Sequence, residues 1–223
     1  ALALLTIGLT RSATDLIALS AVTAVTLVVL WMRSVPASKR RPVYLTTFAV
    51  AAAVVVMVNL ASSSILALFG KGSDLTGRTD IWAAVTAMAE QRPVFGWGWL
   101  SPWVPWLEPF NNLAVHHGVH YLQAHNVWLD VWMQLGYVGV IALILAMWGL
   151  ISRSWFIAID RPQWDLVENR PYSASSLLPL LVTVALLTQS FAESQLVVQS
   201  GWALVVILSL TVMVPTRITK ALN

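Results

Sequence analysis

All four histidines of this chain fall in one polar stretch, residues 71–126, together with an arginine that follows a glycine. The stretch begins KGSDLTGRTDIW and closes in the run QAHNVWLD. Histidine is the side chain best suited to take a proton near neutral pH. His125 stands where the polar stretch meets an apolar run, which makes it the first candidate for a general base facing a wet pocket. The alternative is a histidine that caps or packs a helix end. Asn126 beside it reads as the residue at which a helix starts, with contact to a substrate as its second role. Arg78 is the candidate for anion binding, because guanidinium offers a diphosphate fixed charge and planar, bidentate donors. A surface pairing with Asp74 or Asp80 is its plainer alternative. Arg11, at the end of an apolar stretch, either snorkels or supplies a second cation on the same side as Arg78. Glu193, in a later polar turn, either orients a base, binds a sugar hydroxyl or is simply solvated.

Two other patterns carry less. His116, His117 and His120 include an i, i+4 pair, but the chain has no cysteine and no HExxH arrangement, so no metal site is expected. Gly96 and Gly98 form GxG without the third glycine or the strand–turn–helix setting of a nucleotide fingerprint. They read instead as tight backbone beside interfacial tryptophans, Trp97 among them.

The elements that must position these groups are apolar. Of 223 residues, 58% are hydrophobic and 10% charged, against roughly 25% charged in a soluble domain. Mean hydropathy is +0.74. The fold class expected is all-α: a polytopic transmembrane helical bundle with a large extracytoplasmic loop, 71–126, containing short helices. A crossing helix needs about 20 apolar residues, and spans are expected near 1–10 (partial), 13–32, 43–60, 136–151, 175–190 and 201–215. Asn126–Leu135 reads as the first turns of the third full span or as a separate short helix. The opening ALALLTIGLT reads as the second half of a span, so the chain is expected to be the C-terminal part of a longer protein. Within the loop, Thr79 or Asp80 is expected to cap a helix IWAAVTAMAEQ that ends before Arg92-Pro93, with Ile81, Trp82, Val85 and Met88 on its packed face.

Charge orients this arrangement. A net charge of +3 and a pI near 9.6 would suggest nucleic acid in a soluble protein. Here the basic residues sit in short loops, at 33–42 and 152–172 and in the tail, which marks those segments as cytoplasmic. Five crossings then place Arg11, the 71–126 loop and the turn 193–200 on the opposite face. The absence of cysteine excludes disulfides, thiolate metal sites and a thiol nucleophile.

The ordered set LTGRTDIW, RPVFGWGW and AHNVWLDVWMQLGYVGV, with LTRSAT at 9–14, resembles the O-antigen ligase and polymerase superfamily. The resemblance covers nearly the whole chain. It implies a membrane glycosyltransferase that moves a glycan from an undecaprenyl-diphosphate-linked donor to a hydroxyl of a glycan or lipid acceptor. The transfer takes place on the outer side of the bacterial inner membrane, without metal, cofactor or nucleotide sugar. His125 would then deprotonate the acceptor, Arg78 and Arg11 would bind the diphosphate, and Trp97 and its neighbours would hold the lipid-linked sugar. Ligase and polymerase differ in the acceptor, and no residue decides between them. Two readings of another class stand beside this one: a transporter with 71–126 as a substrate-gathering lid, and a non-catalytic scaffold of envelope assembly. The ionisable groups lie at the rims of the expected spans rather than at their centres, which favours surface chemistry over conduction.

Overall fold

The computed structural model describes residues 12–60, 78–99, 103–116, 119–159 and 174–213. The described residues are all-helical apart from a pair of two-residue strands. Helix α1 (Ala13–Ser34) starts under Ser12, whose hydroxyl accepts from the Asp15 N–H at 3.3 Å, and ends with Arg33 in its last turn. Helix α2 spans Arg40–Leu60, and α3, Arg78–Gln91, lies early in the polar stretch. After a one-turn helix, α4 (Asn111–Ala114), strands β1 (Val115–His116) and β2 (Val119–His120) pair antiparallel. Helix α5 (Val127–Ile159) is the longest described, followed by α6 (Leu178–Gln189) and α7 (Gln199–Met213). The partial span at 1–10, Arg11, Asp74 and His117 lie outside the described residues.

Several boundaries depart from the sequence reading. Helix α3 begins at Arg78 itself, so Thr79 and Asp80 lie in its first turn and do not cap it. Gly136 breaks the helical dihedrals within α5, so Val127–Leu135 is a short helical segment of its own ahead of the kink, the second of the two expected alternatives. The same helix runs on through Ser152 and Ser154 to Ile159, where a polar loop was expected. Its continuation has a physical cause: Ala158 and Ile159 are buried, and Trp155 packs with them. The i, i+4 geometry inferred for His116 and His120 does not form, because these residues lie on opposite strands of the β1–β2 pair.

The chain divides into two compact units, one of residues 1–57, 148–188 and 203–223, the other of 58–147 and 189–202. In the first, Val29, Met32, Ile159, Leu180 and Val184 form the core. Arginines close its helix ends. The Arg33 guanidinium donates to the Ala158 carbonyl and to the Ser176 hydroxyl, both at 2.7 Å, and Arg40 donates to the Ile159 carbonyl at 3.3 Å. Arg153 donates to the Val212 carbonyl at 3.2 Å. Cations on the free carbonyls of a helix C-terminus are favoured by hydrogen bonding and by the helix dipole.

The second unit is organised around a kink. Gly136 interrupts α5 with φ 63°, ψ −164°, which frees backbone groups that a continuous helix would pair. The loop after α3 takes them up. Trp97 N–H and Gly98 N–H donate to the Met133 and Gln134 carbonyls at 3.0 and 2.8 Å, while Tyr137 N–H and Val138 N–H donate to Pro93 and Val94 at 2.8 and 3.2 Å. The two backbones touch: a Cβ on Gly136 would fall on the Val94 carbonyl group, and one on Gly96 on that of Gln134. Both glycines therefore exist for this close approach. Gly136→Ala is expected to destabilise the protein by at least about 2 kcal/mol, from left-handed strain and backbone overlap together. Gly149→Ala, which meets open space within the same helix, is expected to be neutral or slightly stabilising. Thermal unfolding of the two variants in detergent checks the contrast.

Candidate active site

Arg78, His125 and Glu193 come from three separate places in the chain and meet at one carboxylate. Arg78 is the first residue of α3, whose opposite face is anchored by buried Ile81, Val85 and Ala89. The Arg78 guanidinium donates to Glu193 Oε1 at 3.0 Å. His125 Nδ1 lies 2.8 Å from Glu193 Oε2, and Gln123 Nε2 donates to the same oxygen at 3.2 Å. The three side chains are between a quarter and a third exposed, so the cluster is held by the fold yet open to a ligand.

The carboxylate settles the histidine's tautomer. Glu193 is acceptor-only, so the proton on the neutral ring belongs on Nδ1 and Nε2 keeps its lone pair. The ring is thereby oriented, its accepting nitrogen turned away from the carboxylate that holds it, an arrangement capable of taking a proton. Arg78 presents five N–H donors, and the Glu193 contact engages one terminal nitrogen. With His125 neutral, the Arg78–Glu193–His125 set carries no net charge. When His125 takes a proton the set becomes cationic.

The backbone under His125 is fixed on both sides. His125 has φ 52°, a left-handed conformation uncommon outside glycine, although histidine is among the residues enriched there. Ala124 before it is fully buried; its carbonyl accepts from the Trp82 indole at 2.8 Å and its N–H donates to Asp130 Oδ2 at 3.1 Å. Asn126 after it caps α5, its Oδ1 accepting from the N–H groups of Trp128 and Leu129 at 3.0 and 3.3 Å. Asn126 thus acts at the start of a helix, the first of its two expected roles.

Sequence reasoning missed a second carboxylate, Asp130. It is 2% exposed and accepts from the Ala124 N–H, from the Trp103 indole at 3.2 Å and from the Ser194 hydroxyl. Ala124 precedes His125 and Ser194 follows Glu193, so Asp130 clips together the two segments that bear the base and its partner. Gln123 does the same from the other side, its Oε1 accepting from the Ser194 N–H at 3.1 Å. The signal available in sequence was an aspartate one turn into an apolar helix, a costly place for a charge without partners. Glu193 is not a solvated loop carboxylate, and Arg78 pairs with it. Trp97 belongs to another set of contacts: its indole N–H donates to the Met88 carbonyl at 2.8 Å, and the Arg92 guanidinium lies 4.1 Å from its ring centre. Arg11 lies outside the described residues.

The chain belongs to the O-antigen ligase family, whose model matches residues 1–144. It is similar to the exopolysaccharide production protein ExoQ of Rhizobium meliloti (strain 1021), with 29% identity over 113 residues, 46% of this chain and 25% of the relative. The chain thus matches about a quarter of that relative's length. No solved structure matches it. The family match includes Arg78, Gln123, His125 and Asp130, and ends before Glu193.

Removing Asp130 tests the clip. Asp130→Ala leaves the buried Ala124 N–H and Trp103 N–H without an acceptor, at about 1–3 kcal/mol each. The unfolding midpoint is expected to fall clearly further than in Asp130→Asn, which keeps one acceptor oxygen.

Proposed function

We propose that this protein is a membrane glycosyltransferase of the O-antigen ligase type. It moves a glycan from an undecaprenyl-diphosphate-linked donor to an acceptor hydroxyl at the extracytoplasmic face of the bacterial inner membrane. The observation that carries the reading is the Glu193 carboxylate shared between an oriented base, His125, and a guanidinium, Arg78. Family membership and the resemblance to an exopolysaccharide production protein support it.

The step needs no covalent intermediate. His125 Nε2 takes the proton of the acceptor hydroxyl as its oxygen bonds to the anomeric carbon. The bond from that carbon to the diphosphate oxygen breaks, and the diphosphate leaves with the electron pair. Arg78 meets the charge that develops there, with Arg11 as a second cation. Glu193 holds the imidazole in the accepting tautomer and stabilises it once protonated. The leaving group is already a good one, so the protein supplies a base, positive charge and positioning, and neither metal nor cofactor is called for.

For the membrane setting, support comes from two helical segments long and apolar enough to cross a bilayer, Thr14–Ser34 and Val127–Ile159, with shorter apolar helices at Ala174–Gln189 and Ser200–Met213. Large apolar side chains face outward on several helices, Phe48 at 81% and Trp148 at 70% exposure among them, a pattern suited to lipid. The multi-pass arrangement has the basic ends of the first unit in the cytoplasm and residues 71–126 outside. A repeat-unit polymerase is the second reading; the relative's name speaks of exopolysaccharide production, which fits a chain-building acceptor as well as an anchor. Product length separates the two: loss of a polymerase removes the ladder, whereas loss of a ligase leaves long chains on the carrier.

In proteoliposomes supplied with lipid-linked donor, His125→Ala and Arg78→Ala are expected to insert normally and lose transfer by roughly 10²–10⁴-fold for the base. Either variant at wild-type rate removes that residue from the mechanism. Because the chain has no cysteine, single substitutions report topology. Glu90→Cys is expected to react with a membrane-impermeant maleimide on intact spheroplasts, and Lys39→Cys only after lysis. The reverse pattern inverts the proposed orientation.

A further inference from the structure

Beside the Glu193 cluster, in the same unit, lies a cavity of about 390 Å³, within the range of roughly 300–1,000 Å³ common for small-molecule sites. Its walls combine two indoles, Trp99 and Trp103, with the polar side chains of Gln123, Asp130, Gln134 and Gln195. None of the described residues that line it carries a positive charge. Trp99 is half exposed.

The chemistry of this wall is selective. Carboxamides both donate and accept, as hydroxyl groups do. A flat indole face packs against the C–H face of a pyranose while its surroundings stay polar. A phosphate would find no cation among the described lining residues to offset its charge, which costs affinity. An uncharged, hydroxyl-rich ring suits the wall; an anion does not.

The cavity's place relative to Glu193 says which sugar. Arg78 holds Oε1, whereas Gln123 and His125 hold Oε2. Gln123 is at once a wall of the cavity and the Oε2 partner, so the cavity lies on the base's side of the carboxylate and the guanidinium on the other. Direct displacement at an anomeric carbon brings the attacking oxygen in on the face opposite the leaving group. We propose that this cavity is the acceptor-sugar subsite: it takes an uncharged sugar ring of the acceptor, stacked on Trp99 and bonded through Gln134, Gln195 and Gln123. This inference rests on the transferase reading above and goes further, since it makes the acceptor's reacting end a glycan and assigns residues to it.

Saturation-transfer NMR on the full chain in nanodiscs tests it, with the methyl glycosides of glucose, galactose and N-acetylglucosamine as probes. At least one is expected to receive saturation on its ring protons. Its affinity is expected to drop roughly three- to tenfold in Gln134→Leu, in Gln195→Leu and in Trp99→Leu, in line with a lost hydrogen bond or stacking contact. Inorganic pyrophosphate is expected not to displace it. The subsite is overturned if no glycoside binds, if the three substitutions leave binding unchanged, or if pyrophosphate competes. Gln195 lies on the exposed turn and Gln134 beside the kink, so a folding failure at Gln134 leaves Gln195→Leu decisive. The readout requires no turnover: a failed subsite coexists with lost transfer in His125→Ala, and a failed transferase reading coexists with intact sugar binding.

Discussion

The Glu193 carboxylate is the contact on which the rest depends. Its two oxygens give it two faces, one for the Arg78 guanidinium and one for the His125 ring. A carboxylate left alone in a partly buried turn would lose hydration for little return. Here three side chains replace that water. The consequence is geometric as much as energetic: a histidine and an arginine that lie 47 positions apart in sequence are held to a common reference point.

The remainder of the second unit maintains that reference point. His125 carries a left-handed backbone, which costs of order 1–3 kcal/mol and persists only where the surroundings fix it. They do so through Trp82 and Asp130 on Ala124 and through the cap at Asn126. Asp130 stands behind the site as a second carboxylate, buried and paired to three donors, joining the segment before the base to the segment after its partner. The kink at Gly136 turns freed backbone groups of α5 into a docking edge for the loop 93–98. Side chains on one rigid, hydrogen-bonded unit are the usual means by which a site keeps geometry to fractions of an ångström.

Part of this was legible in the sequence. The helical class, the apolar segments, and His125 and Arg78 as the groups of interest followed from composition, from the junction of polar and apolar runs, and from the Gly-Arg step. Glu193 was visible as a carboxylate but not as a partner, because its contacts span 68 and 115 positions and no local pattern encodes them. Asp130 was hidden for the same reason. The break at Gly136 was half legible, since Asn126–Leu135 could be read as a separate short helix; only the neighbouring backbone reveals why the residue must be glycine. The continuation of α5 past Ser152 escaped because a short polar step was read without the buried Ala158 and Ile159 that lie beyond it.

The central claim is that Glu193 acts through His125 rather than on its own, and a double-mutant cycle on single-turnover transfer addresses it most directly. Glu193→Gln alone is predicted to slow transfer, while in a His125→Ala background the same change is predicted to cost little more, because residues acting as a unit lose their effect together. Two losses that multiply in full would mean that the carboxylate and the histidine work independently, and would contradict the account.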